Sequence, residues 1–160
     1  MKFKYCPECG SLLSEKDITN EGLIPFCCDC NKVYFPFSYP CVICFVKYHE
    51  KYLLIKQNYI SDNYVLVAGH IKQGSNAELT IREEIKEEVG LDVKSITYVN
   101  SYFHEKGNNI MFGYFVEAEG KIETNHEVDN YKLVTKEEAL ELLNKSYIAY
   151  KLVKEYFDKK

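Results

Sequence analysis

Two Cys-x-x-Cys pairs near the start of the chain limit how its first 37 residues can fold. Seventeen residues separate the pairs, which supply four candidate ligands: Cys6, Cys9, Cys27 and Cys30. Each pair makes a tight turn that aims two thiolates at one ion, and four thiolates complete a closed tetrahedral Zn²⁺ site. A segment this short needs such a staple, because it cannot build its own apolar core. We therefore predict a small zinc ribbon over residues 1–37; the alternative is four reduced cysteines that bind nothing.

The composition excludes several classes of protein. The N-terminus lacks the apolar segment of a signal peptide, so seven cysteines indicate a reducing, cytoplasmic location. No apolar run approaches the roughly 18 residues of a transmembrane helix, and we expect no membrane association. A formal net charge of −4 gives no support to nucleic acid as a partner. The ribbon is predicted to act as a brace or as part of a homodimer interface.

Residues 38–160 alternate between strand-like and helical patterns. Apolar, β-prone runs occur at 41–48, 52–57, 65–67, 93–103, 110–117 and 131–134. Helical spacing occurs at 77–89, 135–143 and 147–157, and two capping-box patterns, Ser75 with Glu78 and Thr135 with Glu138, precede the first two. This order predicts an α+β fold in which a mixed β-sheet is sandwiched between helices.

The helix at 77–89 carries a cluster of carboxylates. Glu84, Glu87 and Glu88 are spaced i, i+3 and i+4, so they project from one side while an aliphatic stripe faces the core. A solvated acidic face is the alternative interpretation. The preceding loop, residues 67–71, brings backbone carbonyls to the same helix, and carbonyls with carboxylates are the hard oxygen ligands that Mg²⁺ or Mn²⁺ prefers.

The segment from Gly69 to Leu91 resembles the Nudix hydrolase pattern G-x5-E-x7-R-E-U-x-E-E-x-G-U, in which U is aliphatic. Seven of the nine fixed positions match. Ser75 stands where the family has Glu, and Glu83 stands where it has Arg. Arg82 is one residue away from Glu83. One step along a helix turns a side chain by about 100°, so Arg82 cannot take the place of the family's Arg.

The resemblance implies an active site on this helix. It implies Glu84, Glu87 and Glu88 as catalytic residues, which hold Mg²⁺ or Mn²⁺ together with Ala68, Gly69 and Glu127. We predict that Glu84, Glu88 and the Ala68 carbonyl hold the metal, while Glu87 ligates it or orients the attacking water. For Glu127 the alternative is an ordinary loop glutamate.

A zinc ribbon before a Nudix domain is similar to the NADH pyrophosphatase branch of the family. Ser101-Tyr102-Phe103-His104 lies where that branch carries Ser-Gln-Pro-Trp-Pro-Phe-Pro. The resemblance implies substrate contacts at Ser101, Tyr102, Phe103 and Ala149, although Ala149 could equally be a packing residue. The expected reaction is hydrolysis of a nucleoside diphosphate linked to another moiety, as in a dinucleotide or ADP-ribose. The alternative is a nucleotide-binding module without turnover, because the pattern is altered at Ser75 and Glu83.

Overall fold

The computed structural model describes residues 3–59 and 61–159, and the chain divides between Ser38 and Tyr39 into two compact units. The first unit is a three-stranded antiparallel sheet, β1 (Ser14–Ile18), β2 (Gly22–Cys27) and β3 (Lys32–Val33), in the order β1-β2-β3. Gly10 and Asn31, which follow the two cysteine pairs, both have positive φ angles. These left-handed residues complete the tight turns that follow each pair.

The second unit is built on a six-stranded mixed sheet. Its strands run in the order β7-β8-β4-β5-β9, and β6 pairs with β4. Only the β4–β8 pair among these is parallel. The elements, in chain order, are β4 (Tyr39–Tyr48), β5 (Lys51–Lys56), β6 (Val67–His70), α1 (Ala77–Val89), β7 (Asp92–His104), β8 (Asn109–Glu119), β9 (Asn130–Val134), α2 (Lys136–Leu142) and α3 (Ile148–Asp158).

Alternation along the strands gives the sheet two apolar faces. Side chains such as Val42 and Val46 of β4 join the core beneath α1, which contributes Ile81, Ile85 and Val89. The side chains of β4 that point to the opposite face, such as Phe45, join a second core beneath α2 and α3. The predicted sheet between helices is therefore confirmed. Within the described parts of the chain, no helix has the length and apolarity needed to cross a membrane.

Helix α1 begins and ends where the sequence predicts, but its cap was wrongly predicted. The N-cap is Asn76, whose side chain accepts a hydrogen bond of 2.8 Å from the Leu79 amide. The Ser75 hydroxyl lies instead within 3.3 Å of the Thr80 hydroxyl. Thr135 and Glu138 do form the predicted capping box of α2. The strand predicted at 65–67 begins at Val67, while Val65 makes an isolated bridge to Ile55.

Candidate metal-dependent active site

The four predicted zinc ligands come together in the first unit. The sulfur atoms of Cys6, Cys9, Cys27 and Cys30 all lie within 4.8 Å of one another. Cys6 and Cys30 are 3.8 Å apart, and Cys9 and Cys27 are 3.6 Å apart. Zn–S bonds of about 2.3 Å in a tetrahedron place the sulfur atoms about 3.8 Å apart. The sulfur atoms therefore have the spacing of a tetrahedral Zn²⁺ site, as expected for a small zinc ribbon.

Neighbouring groups lower the pKa of the Cys6 and Cys9 thiols, while the hydrogen bond with Cys9 and burial raise the pKa of Cys30. The Tyr34 hydroxyl lies 3.1 Å from Cys6 Sγ. Burial opposes ionisation of Cys6, but the hydrogen bonds from Tyr34 and from backbone amides lower the pKa of its thiol to about 6. Thiolate is the form of cysteine that binds a metal ion. Cys28 is exposed and does not belong to the cluster.

Gly69 and Glu84 pack against each other in the second unit. Gly69 lies on β6 opposite Val42, on the face that α1 covers. A Cβ atom placed on Gly69 would overlap the carboxyl group and the Cγ atom of Glu84. The glycine is therefore required for close approach, and it brings the β6 backbone and a carboxylate of α1 to one place.

Glu88 is the most deeply buried of the helix carboxylates. Its side chain is 3% exposed, and its Oε1 accepts a hydrogen bond of 3.1 Å from Nε2 of Gln57. Its Oε2 is also buried, and it has no hydrogen-bond partner among the residues that the structure describes. A buried carboxylate oxygen without a donor is costly, which fits a group that holds a cation.

The electrostatics of the carboxylates reflect their crowding. Burial and the charge of Glu87 raise the pKa of Glu84. Burial raises the pKa of Glu88 to about 8; the hydrogen bond from Gln57 opposes that shift, and the charges of Glu84 and Glu127 add to it. A divalent cation would relieve both the desolvation and the mutual repulsion, so the donor set fits Mg²⁺ or Mn²⁺.

The loop between β8 and β9 brings Glu127 near these carboxylates. The Glu123 and Asn125 amides donate to the carbonyls of Val89 and Glu88, at 3.0 and 3.2 Å, and so bind the loop to the last turn of α1. The Glu127 amide donates to the Asn125 side chain at 2.9 Å. Glu127 is half-buried, and its charge contributes to raising the pKa of both Glu84 and Glu88.

The basic residues near Glu83 on α1 interact with groups other than the carboxylates of the site. Arg82 donates to the Val93 carbonyl at 2.8 Å, and Lys86 pairs with Asp92 at 2.8 Å. Glu83 is exposed, and its charge is among the causes that raise the pKa of Glu84. Arg82 therefore supports the edge strand β7 rather than the carboxylates.

The structure separates the three β7 residues predicted to contact substrate. Tyr102 packs against the core beneath α3, and its hydroxyl lies 3.1 Å from Glu155. Ser101 and Phe103 flank Tyr102 on the strand and therefore face the opposite side of the sheet, where both are exposed. Ala149 is buried in the core of α2 and α3. Contact of these residues with substrate stays a prediction.

Sequence reasoning missed Gln57. It follows β5 on the same face as Leu53 and Ile55, which are both buried beneath α1. A polar residue that continues an apolar face is the sequence signal that could have identified it. Its partner Glu88 is 31 residues away, so spacing alone could not join them.

Comparison with known proteins gives the class of this chain. The NUDIX domain family matches residues 39–156, which is most of the chain. The chain belongs to the Nudix family, as the pattern on α1 predicts. The crystal structure of a NUDIX hydrolase from Nitrosomonas europaea has a TM-score of 0.80 and 16% identity, covering 99% of this chain and 92% of that one. The NUDIX domain of Shewanella oneidensis NrtR, solved with ADP ribose, has a TM-score of 0.66 and 13% identity, covering 78% of this chain and 90% of that one.

Curated relatives are more similar to this chain in sequence than these two solved structures are. The NAD-capped RNA hydrolase NudC of Vibrio atlanticus is 27% identical over 118 residues, which cover 73% of this chain and 43% of that protein. The protein of the same name from Pectobacterium carotovorum is 28% identical over 118 residues, covering 73% and 44%. The matched part of this chain therefore spans less than half the length of these relatives.

Proposed function

We propose that the chain is a metal-dependent pyrophosphohydrolase that cleaves a nucleoside diphosphate linked to another moiety, such as a dinucleotide or ADP-ribose. The observation that carries this proposal is the buried, unpartnered Oε2 of Glu88 beside the Glu84 carboxylate. On the helix that carries the Nudix pattern, these carboxylates are oxygen ligands of the kind that Mg²⁺ and Mn²⁺ prefer. The named activity of the Vibrio relative and the ADP ribose bound by the Shewanella domain support this substrate class.

The carboxylates of this site have separate roles in metal binding and hydrolysis. Glu84 and Glu88, with the backbone carbonyls of Ala68 and Gly69, would hold Mg²⁺ or Mn²⁺, and Glu127 would supply a further carboxylate ligand from the loop between β8 and β9. Bound cations supply charge against the diphosphate and make water a better nucleophile. Glu87, exposed on the same helix, ligates the metal or orients that water. Water adds to one phosphorus, and the bridging oxygen leaves with the second phosphate, so two phosphomonoesters form.

The four cysteines of the first unit form the proposed structural Zn²⁺ site. Four thiolates at tetrahedral spacing leave no open coordination position, so this ion takes no part in the chemistry.

The alternative function is a nucleotide-binding module without turnover. Two observations favour it. Glu83 adds negative charge beside Glu84. Ser75 replaces the Glu of the family pattern, so no carboxylate is present at this position, and its hydroxyl contacts Thr80. Calorimetry with ADP-ribose and Mg²⁺, followed by chromatography of the same sample, separates the two functions. Binding with release of AMP supports the hydrolase, and binding of intact ligand supports the module.

A further inference from the structure

Gln57 occupies a place where the fold would ordinarily put an apolar side chain. It continues the face of β5 that carries Leu53 and Ile55, and it is 5% exposed beneath α1. Burying an amide is unfavourable unless its polar atoms are hydrogen-bonded. A glutamine at this site therefore calls for an explanation in terms of its partner.

That partner is Glu88, and the hydrogen bond uses only one of its two oxygens. Gln57 Nε2 donates to Glu88 Oε1 at 3.1 Å, in a buried contact. An ionised carboxylate is only an acceptor, so the amide must present its nitrogen. Oε2 stays without a partner in the described structure. The bond thus fixes the orientation of the carboxylate and leaves its second oxygen available.

The backbone that carries Gln57 is itself held in place. The Ser61 amide donates to the Gln57 carbonyl at 3.0 Å. On either side, the Asn58 amide donates to the Asp129 carboxylate at 2.7 Å, and the Asp129 amide donates to the Lys56 carbonyl at 2.9 Å. The amide of Gln57 therefore extends from a fixed base, as preorganisation of a site requires.

We propose that Gln57 is a positioning residue that orients Glu88 so that its Oε2 faces the cation of the active site. The inference rests on the proposed function, which gives Glu88 its role in holding the metal. A neutral donor suits this place better than a charged one. A carboxylate would add to the repulsion among Glu84, Glu88 and Glu127, while an ammonium group would compete with the metal ion for the Glu88 oxygens.

Binding of Mn²⁺ to the full chain tests this role without any need for turnover. Free Mn²⁺ is followed by electron paramagnetic resonance during titration of the wild type, Gln57→Met and Gln57→Asn. Gln57→Met keeps the length and removes the donor, while Gln57→Asn keeps the amide but withdraws it by one methylene group. The matched control is Asn100→Leu, which removes an amide–carboxylate hydrogen bond of 2.7 Å to Glu155 on the other face of the sheet.

We expect Gln57→Met to weaken Mn²⁺ binding by about tenfold or more, as loss of a partner that supports a metal ligand commonly does. Gln57→Asn should lie between it and the wild type, and Asn100→Leu should bind as the wild type does. If Gln57→Met does not fold, Gln57→Asn decides alone. Wild-type affinity in the folded Gln57 variants, or an equal loss in Asn100→Leu, would overturn the proposal.

The same titration separates this inference from the proposed function. A wild-type chain that binds Mn²⁺ with the predicted variant effects but hydrolyses nothing supports the role of Gln57 and contradicts the hydrolase. A wild-type chain that binds no Mn²⁺ overturns both.

Discussion

At the scale of single residues, the site depends on the glycine at position 69 and on the buried carboxyl group of Glu88. Gly69 has no Cβ, and the Glu84 carboxyl group takes up the space that a Cβ would fill. Glu88 is buried with its Oε2 unpartnered among the described residues. Burial disfavours the charged forms of Glu84 and Glu88 and raises the pKa of both, and such costs are typical of functional sites.

Gly69→Ala tests whether the glycine serves Glu84. The added methyl group must displace the Glu84 side chain, so we expect the substitution to destabilise the protein by about 1–3 kcal/mol, the range for overpacking. Denaturant unfolding measures this cost in the wild-type background and in the Glu84→Ala background, where no carboxylate stands in the way. The cost should largely disappear in the second background. An equal cost in both would show that the methyl group clashes with something else.

At the scale of elements, α1 shows how far sequence alone leads. The four-residue spacing of Ile81, Ile85 and Val89 predicts the helix from Ala77 to Val89, and the structure has the same bounds. The predicted position of the N-cap is wrong by one residue. Ser75 and Asn76 are both good capping residues, and only the loop geometry selects Asn76. The contact between Glu88 and Gln57 depends on the pairing of distant strands, which local patterns do not contain.

Helix α1 also carries the departure that should limit activity. Glu83 lies where the family has Arg, and its charge contributes to raising the pKa of Glu84. Glu83→Arg replaces a repulsive charge with an attractive one at an exposed position, where charge pairs contribute up to about 1 kcal/mol. We expect the rate of metal-dependent hydrolysis to increase by up to about fivefold.

Glu83→Gln is the matched variant, since it removes the negative charge without adding a positive one. Its rate, measured under the same conditions, should lie between those of the wild type and Glu83→Arg. If Glu83→Arg hydrolyses no faster than the wild type, the altered position does not limit the enzyme.

At the scale of the whole molecule, the two units rest on different sources of stability. The second unit has extensive apolar cores on both faces of its sheet. In the described part of the first unit, residues 3–38, the buried side chains are Cys6, Ile24, Pro25 and Cys27. Two of these four are proposed zinc ligands, so we expect metal binding to contribute much of the folding free energy of this unit. The cysteine spacing alone predicts this, whereas the site on α1 requires the folded sheet.

Cys27→Ser tests the structural role of zinc, with Cys28→Ser as its neighbour outside the cluster. Cys28→Ser should retain about one zinc per chain, as measured by elemental analysis. Cys27→Ser should lose zinc, and its first unit should become sensitive to protease while residues 39–159 stay resistant. A Cys27→Ser protein that lost its zinc and kept a protease-resistant first unit would contradict a structural role.

Chromatography of AMP released from ADP-ribose and from a dinucleotide determines whether the α1 carboxylates form a metal-dependent hydrolytic site. The wild type should release AMP with Mg²⁺ or Mn²⁺ and none with a chelator. Glu88→Gln should lose at least about a hundredfold in rate, since even outer partners of metal ligands contribute 10–100-fold. Glu141→Gln, the same change on the exposed side of α2, should not alter the rate. Equal rates in Glu88→Gln and the wild type would show that the α1 carboxylates do not form the hydrolytic site.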